Sequence, residues 1–190
     1  MTNRTHDAIA FASLVSIAII FPPNSLNLMT LITSIIAADI GSMIPDMDQA
    51  GNRLWDLLPA GNSMGKIFRR VFYEHRTISH SILGTVAIYK ALGIVLTKFL
   101  NPDFLNPDII LSSIMIGYIS HLIADSFTKK GLPLLFPFKL NFGLPPVKKL
   151  RITSGKFVEN FLILPSVWIF LVAIIYFNQS KLIKIINLIQ

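Results

Sequence analysis

The sequence contains no cysteine, so disulfides and thiolate metal sites are excluded at the outset. Charge is nearly as scarce. Asp, Glu, Lys and Arg make up 14% of the 190 residues, where a soluble domain carries about 25%. A chain this size cannot clothe a soluble surface with so few charges, which excludes a disordered chain, a coiled coil and most soluble enzymes. Glycine-rich phosphate loops, HExxH pairs, GxSxG elbows and nucleic-acid motifs are all missing. A serine hydrolase built on Ser79 or Ser81 beside His80 therefore lacks both its elbow and an acid to orient the base. What the chain has in quantity is apolar: 53% of its residues are hydrophobic, and its mean hydropathy is +0.62. That composition defines an all-α, polytopic transmembrane bundle.

The apolar content falls in stretches at 8–21, 26–44, 78–100, 109–127 and 160–177. The last four reach the roughly 20 residues a span requires. The first is shorter and closes on Pro22 and Pro23, so it reads as a short or tilted helix, giving four or five spans in one membrane domain over 1–190. Residues 181–190 read as an amphipathic tail lying on the interface. The formal charge of +7 is unevenly spread. Segments 45–77 and 128–159 are rich in Lys and Arg, whereas the turns at 22–25 and 101–107 have none. The positive-inside rule then puts the N-terminus and both basic segments on the cytoplasmic side of an inner, plasma-type membrane. Basic excess of this kind sets orientation and calls for no nucleic-acid partner. Segment 131–147 is interrupted by Pro133, Pro137, Pro145 and Pro146, so it cannot be a regular helix. It is expected to lie against the headgroups or fold back over the cytoplasmic helix ends.

Only four histidines are present. His6, His75, His80 and His121 all map to predicted cytoplasmic span ends, and so do Asp46, Asp48, Asp125 and Glu159. Neutral imidazole and carboxylate are the ligands of zinc, manganese and iron. His121 and Asp125, four apart, share one helix face and can grip one ion. Asp46 and Asp48 follow Pro45, and an extended segment there presents both carboxylates. The spacing of His75 and His80 is not helical; it suits one ligand on the incoming loop and one in the first turn of the third span. Ionisable groups inside a span are costly, so His121 and Asp125 are functional candidates by default. Each residue also has a plain structural reading. A histidine at a span end can be interfacial, Asp125 can pair with Lys129, Glu159 can be an acid favoured by a helix N-terminus, and Asp46 and Asp48 can cap or solvate. Asp39, deeper in the second span, can hydrogen-bond within the bundle or face the site. None of these readings explains why every histidine falls in one layer.

Taken in order, the same elements form a pattern. They are His6; the turn IPDMD with Pro45, Asp46 and Asp48; the block HRTISHS with His75, Arg76, His80 and Ser81; HLIADSFTKKGLPLLFP with His121, Asp125, Thr128, Gly131 and Pro137; and SGxxxE with Ser154, Gly155 and Glu159. Across roughly 1–160 the chain resembles the YdjM-type family of inner-membrane metal-dependent hydrolases. That family usually has Gly between HR and THS, and this departure touches no candidate ligand. The resemblance implies a membrane hydrolase with its metal ligands among these positions. A looser similarity to zinc-dependent phospholipase C points to a phosphoester in lipid.

The expectation is therefore a hydrolase holding one or two divalent ions, zinc first, among His6, Asp46, Asp48, His75, His80, His121 and Asp125. A catalytic zinc takes three protein ligands and a structural one four; so many candidates mean two ions or some outer-sphere residues. Glu159, or whichever of Asp46 and Asp48 is not a ligand, would act as general base, and Arg76 would steady a phosphate or developing oxyanion. Membrane lipid would be the partner. Two other classes compete: a metal or proton transporter, which wants ionisable groups near the midplane or on both sides, and a structural protein whose metal only ties helices together.

Overall fold

The computed structural model describes residues 1–47, 52–57, 78–138 and 140–189. Among them the regular structure is helical, with only isolated β-bridges besides. The α-helices are α1 (Asn3–Ile20), α2 (Leu28–Met43), α3 (Ile82–Phe99), α4 (Pro107–Ser126), α5 (Leu164–Phe177) and α6 (Gln179–Ile186). A π-helical stretch, Val158–Ile163, leads into α5. Four helical segments are long and apolar enough to cross a membrane: Leu28–Asp46, Ile82–Phe99, Pro107–Ser126 and Val158–Phe177. α1 is 18 residues long, but Arg4, His6 and Asp7 make its opening turns polar, and it is not among these four.

Helix α4 stands at the centre, packed on α1, α2 and α3, while α5 leans on α1. The α2–α4 crossing is the closest. A Cβ at Gly41 would strike the carbonyl of Ile114, and one at Gly117 would strike the carbonyl of Ala38. Small residues at such a crossing let two backbones approach where no hydrophobic drive toward lipid-exposed partners exists. Around it lie Ile114, Leu122, Leu132 and the fully buried Tyr118, whose hydroxyl donates to the Ser79 carbonyl. Because even a methyl would meet backbone, Gly117→Ala is expected to lower stability by about 1–3 kcal/mol. Thermal unfolding in detergent, with Gly93→Ala as a roomy control, checks this. A Gly117 variant as stable as the control would show that the crossing is not tight.

Asparagine caps start both α2 and α4: Asn27 accepts from the Thr30 N–H, and Asn106 accepts from the N–H groups of Asp108 and Ile109. The two starts are tied, with Asn27 Nδ2 donating to the Phe104 carbonyl at 3.1 Å and the Asn106 N–H donating to Thr30 Oγ1 at 3.0 Å. The two helices therefore run in parallel, and their C-terminal ends arrive together at the opposite end of the bundle.

Local structure at that end differs from the sequence expectation in three places. α1 starts at Asn3, so His6 lies within the helix rather than before it. Asp46 ends a 3₁₀ turn, Ile44–Asp46, that continues α2 in place of an extended segment. Pro45 sits in the opening of that turn, where its missing N–H costs nothing. His80 closes another 3₁₀ turn, Ile78–His80, and so precedes α3. Ser81 takes the cap instead, its side chain accepting from the Gly84 N–H at 3.1 Å. The proline-rich segment folds back on the helix ends. Leu132 and Phe142 exchange backbone hydrogen bonds, Leu144 N–H donates to the Ser126 carbonyl at 2.8 Å, and Ile82 N–H donates to the Leu134 carbonyl at 3.0 Å. Gly131, in the left-handed region at φ +68°, makes the turn out of α4.

Candidate metal centre

The bundle brings five of the predicted residues to one buried place. His6 comes from the start of α1, Asp46 from the turn after α2, His80 from the turn before α3, and His121 and Asp125 from the last turns of α4. His6, His80, His121 and Asp125 are almost wholly buried. They form two overlapping groups, His6–His121–Asp125 and Asp46–His80–His121, and the candidate ligand atoms within each lie within 4.8 Å of one another. His121 belongs to both.

The individual spacings are informative. His6 Nε2 is 3.4 Å from Asp125 Oδ1, and His80 Nε2 is 3.5 Å from Asp46 Oδ1. His121 Nε2 is 3.8 Å from Asp46 Oδ1 and 3.7 Å from Asp125 Oδ2. These are long for hydrogen bonds. Two donors sharing a tetrahedral ion with bonds of about 2.0–2.2 Å lie about 3.3–3.6 Å apart, close to what is seen. Asp46 Oδ1 and the Nε2 atoms of His6 and His121 are buried without a hydrogen-bond partner. Such groups cost free energy unless something satisfies them. A cavity of about 10 Å³, lined in part by His6, Asp46 and His121, adjoins them; that is about the room one water or ion needs. The residues present therefore fit a divalent cation.

The surroundings aim these donors. His121 Nδ1 lies 2.7 Å from the Ser42 carbonyl. A carbonyl only accepts, so Nδ1 carries the proton and Nε2 presents its lone pair to the centre. The tight α2–α4 crossing is what places Ser42 there. Ser79 Oγ is 3.1 Å from His80 Nδ1; a hydroxyl can donate or accept, so this contact orients the ring without setting its tautomer. The rings of His6 and His121 stack at 3.7 Å with 9° between planes, and each Nε2 reaches one oxygen of Asp125. The α-amino group of Met1 also pairs with Asp125 Oδ1. Thr128 Oγ1 donates to the Asp125 carbonyl at 2.7 Å and closes the end of α4.

Glu159 is fully buried but engaged elsewhere. Its Oε1 accepts from the Thr2 N–H at 2.5 Å and from Thr2 Oγ1 at 2.8 Å, and its Oε2 accepts from the Gly155 N–H at 2.7 Å. Gly155 adopts φ +71° to aim that N–H. Glu159 thus joins the root of α5 to the start of α1. This arrangement suits a holding role better than the general-base role expected from sequence. Asp39 faces outward and meets Arg53, at 3.6 Å, instead of the candidate metal ligands. Asp48, His75 and Arg76 lie outside the described residues. Ser42 and Thr2 were not foreseen, and Ser79 was weighed only as a nucleophile beside His80. Ser42 contributes a backbone carbonyl to His121 and Thr2 a backbone N–H to Glu159, groups that every residue type carries. Ser79 stands next to His80, the only signal available.

Fold and site together define an integral membrane helical bundle with a buried His/Asp centre at one end. A family profile described as "YdjM inner membrane protein" matches residues 1–183, and the chain belongs to that family. The uncharacterized protein YvsG of Bacillus subtilis (strain 168) is 30% identical over 121 residues, covering 64% of this chain and 65% of the relative. The inner membrane protein YdjM of Escherichia coli (strain K12) is 30% identical over 116 residues, covering 57% of this chain and 52% of the relative. The chain thus spans about half to two thirds of the length of these curated relatives. No solved structure matches it. Family membership and four apolar helices put the protein in the inner membrane.

Proposed function

We propose that this protein is a membrane-bound, metal-dependent hydrolase acting on a phosphoester of a lipid or lipid-linked substrate, with its site facing the cytoplasm. The observation that carries the reading is the convergence of His6, Asp46, His80, His121 and Asp125 at ligand spacing in one buried layer. When bound there, a divalent ion, zinc first, would bring the pKa of a bound water to about 7 and polarise the scissile group. His121 is the hub, held by Ser42. Asp46 and Asp125 bring the negative charge that two or three neutral imidazoles lack. Asp48, two residues beyond Asp46, is assigned proton abstraction because the oxygens of Glu159 already accept hydrogen bonds. Arg76, four residues before His80, is assigned the phosphate. Transport fits less well, because the ligands gather at helix ends on one side and none comes from mid-span.

Elemental analysis of the detergent-purified protein tests the metal, and release of phosphate or headgroup from phospholipid vesicles tests the chemistry. The expected result is one or two divalent ions per chain and hydrolysis that chelation stops. Protein without stoichiometric metal, or metal flux into proteoliposomes without hydrolysis, would overturn the reading.

A further inference from the structure

Beside the metal centre runs a groove of about 540 Å³ between α1, α2 and α5. One end is charged, with Arg4, Asp7 and Asp39; the other is apolar, with Phe11, Ile36 and Trp168. Ile36 and Trp168 are about half exposed, so the apolar end opens between helices toward the bilayer. Phe11 also lines a larger, mostly apolar cavity of about 680 Å³ farther along α1. At the other end, Asp7 lines the small cavity that His6 and His121 also line. Ser42 makes the junction physical: its carbonyl holds His121, and its hydroxyl donates to Asp7 Oδ1 at 3.2 Å. An apolar channel, a charged corner and the metal centre therefore follow one another in series. A phospholipid presents its acyl chain, then its phosphate, with the headgroup amine a short link beyond it, so a chain held in the channel brings both polar groups to the charged corner and the adjoining metal centre; the volumes fall in the range of ligand pockets.

The charges narrow the choice. Arg53 spans the two acids, 3.4 Å from Asp7 Oδ2 and 3.6 Å from Asp39 Oδ2. With Arg4, the corner holds two guanidinium groups and two carboxylates among the described residues, which balance. A purely anionic headgroup would meet both carboxylates. A headgroup carrying an ammonium beside its phosphate meets a partner for each charge. We propose that the groove takes, sideways from the bilayer, one acyl chain and the headgroup of a zwitterionic, amine-bearing phospholipid. This identification rests on the metal-hydrolase reading, whose substrate class it narrows.

The test is competitive lipid retention. Purified protein is equilibrated with equal amounts of phosphatidylethanolamine and phosphatidylglycerol bearing identical chains. Bound lipid and bound metal are then measured on the same sample. The expected result is about fivefold enrichment of the ethanolamine lipid, lost in Asp39→Asn with metal content unchanged. Ile36→Trp, which fills the apolar end, is expected to reduce retention of both lipids. Metal present with no preference between the lipids overturns the groove assignment. Lipid preference without metal leaves the groove standing and overturns the hydrolase reading instead. If the preference survives Asp39→Asn and Asp7→Asn alike, the charged corner is not the headgroup site.

Discussion

His121→Ala is expected to remove divalent metal from the purified protein, whereas His6→Ala and His80→Ala each lower its count or its affinity without abolishing binding. The asymmetry follows from geometry. His121 Nε2 faces Asp46 on one side and Asp125 on the other, so it belongs to both candidate ligand groups, while His6 and His80 each belong to one. Losing an outer-sphere partner of a metal ligand weakens binding about 10–100-fold. Losing the shared ligand itself is therefore expected to cost at least about 100-fold, or about 2.7 kcal/mol. Calorimetric titration of zinc into chelator-stripped protein reads the affinity, and elemental analysis reads the stoichiometry. If two ions bind, His6→Ala and His80→Ala each lower the count toward one. If one ion is shared, both leave the count at one and weaken the affinity. The bound histidines must be neutral, so metal content is expected to fall on acidification. Wild-type affinity in His121→Ala would sink the shared-ligand arrangement.

Much of this site was legible in the sequence, because burying ionisable residues in an apolar chain is costly enough to be informative. The i, i+4 pair of His121 and Asp125 reads directly onto one helix face, and Pro45 marks where α2 changes its winding. The depth argument required only the span ends, which hydropathy supplies. Two kinds of information were not there. The first is local winding: the capture of the α3 cap by Ser81 moves His80 off the helix, and nothing in residue type separates that turn from a first helical turn. The second is the supporting shell. Ser42 works through its carbonyl and Thr2 partly through its N–H, and the close approach of Gly41 and Gly117 that brings Ser42 to His121 is a tertiary fact. Glu159 carried a real signal, a carboxylate at a span start, but the signal has two meanings. Burial among N–H and O–H donors favours the holding role, whereas an open carboxylate would have favoured proton transfer.

Glu159→Ala separates those meanings. The substitution leaves the N–H of half-buried Thr2 and the N–H of exposed Gly155 without their acceptor, while the Thr2 hydroxyl keeps Thr5 Oγ1 as a partner. Hydrogen bonds to charged groups contribute about 1.5–3 kcal/mol each, and donors stranded on truncation add to the loss. Part of this is recovered by water and relaxation at the start of α1, so a net destabilisation of about 3 kcal/mol is expected. Glu159→Gln keeps one carbonyl oxygen for Thr2 but turns an amide toward or away from Gly155, and about half that loss is expected. The effect should reach the metal, because Thr2 stands one helical turn before His6 and the two move together. Metal affinity is expected to fall about 10–100-fold in Glu159→Ala, as for loss of an outer-sphere support, and less in Glu159→Gln. Thermal unfolding and zinc titration on the same preparations measure both. A Glu159→Ala protein that unfolds and binds zinc like the parent, yet no longer hydrolyses lipid phosphoesters, would return Glu159 to the role of general base. The holding role requires stability and metal affinity to fall together, in the order Ala below Gln below the parent.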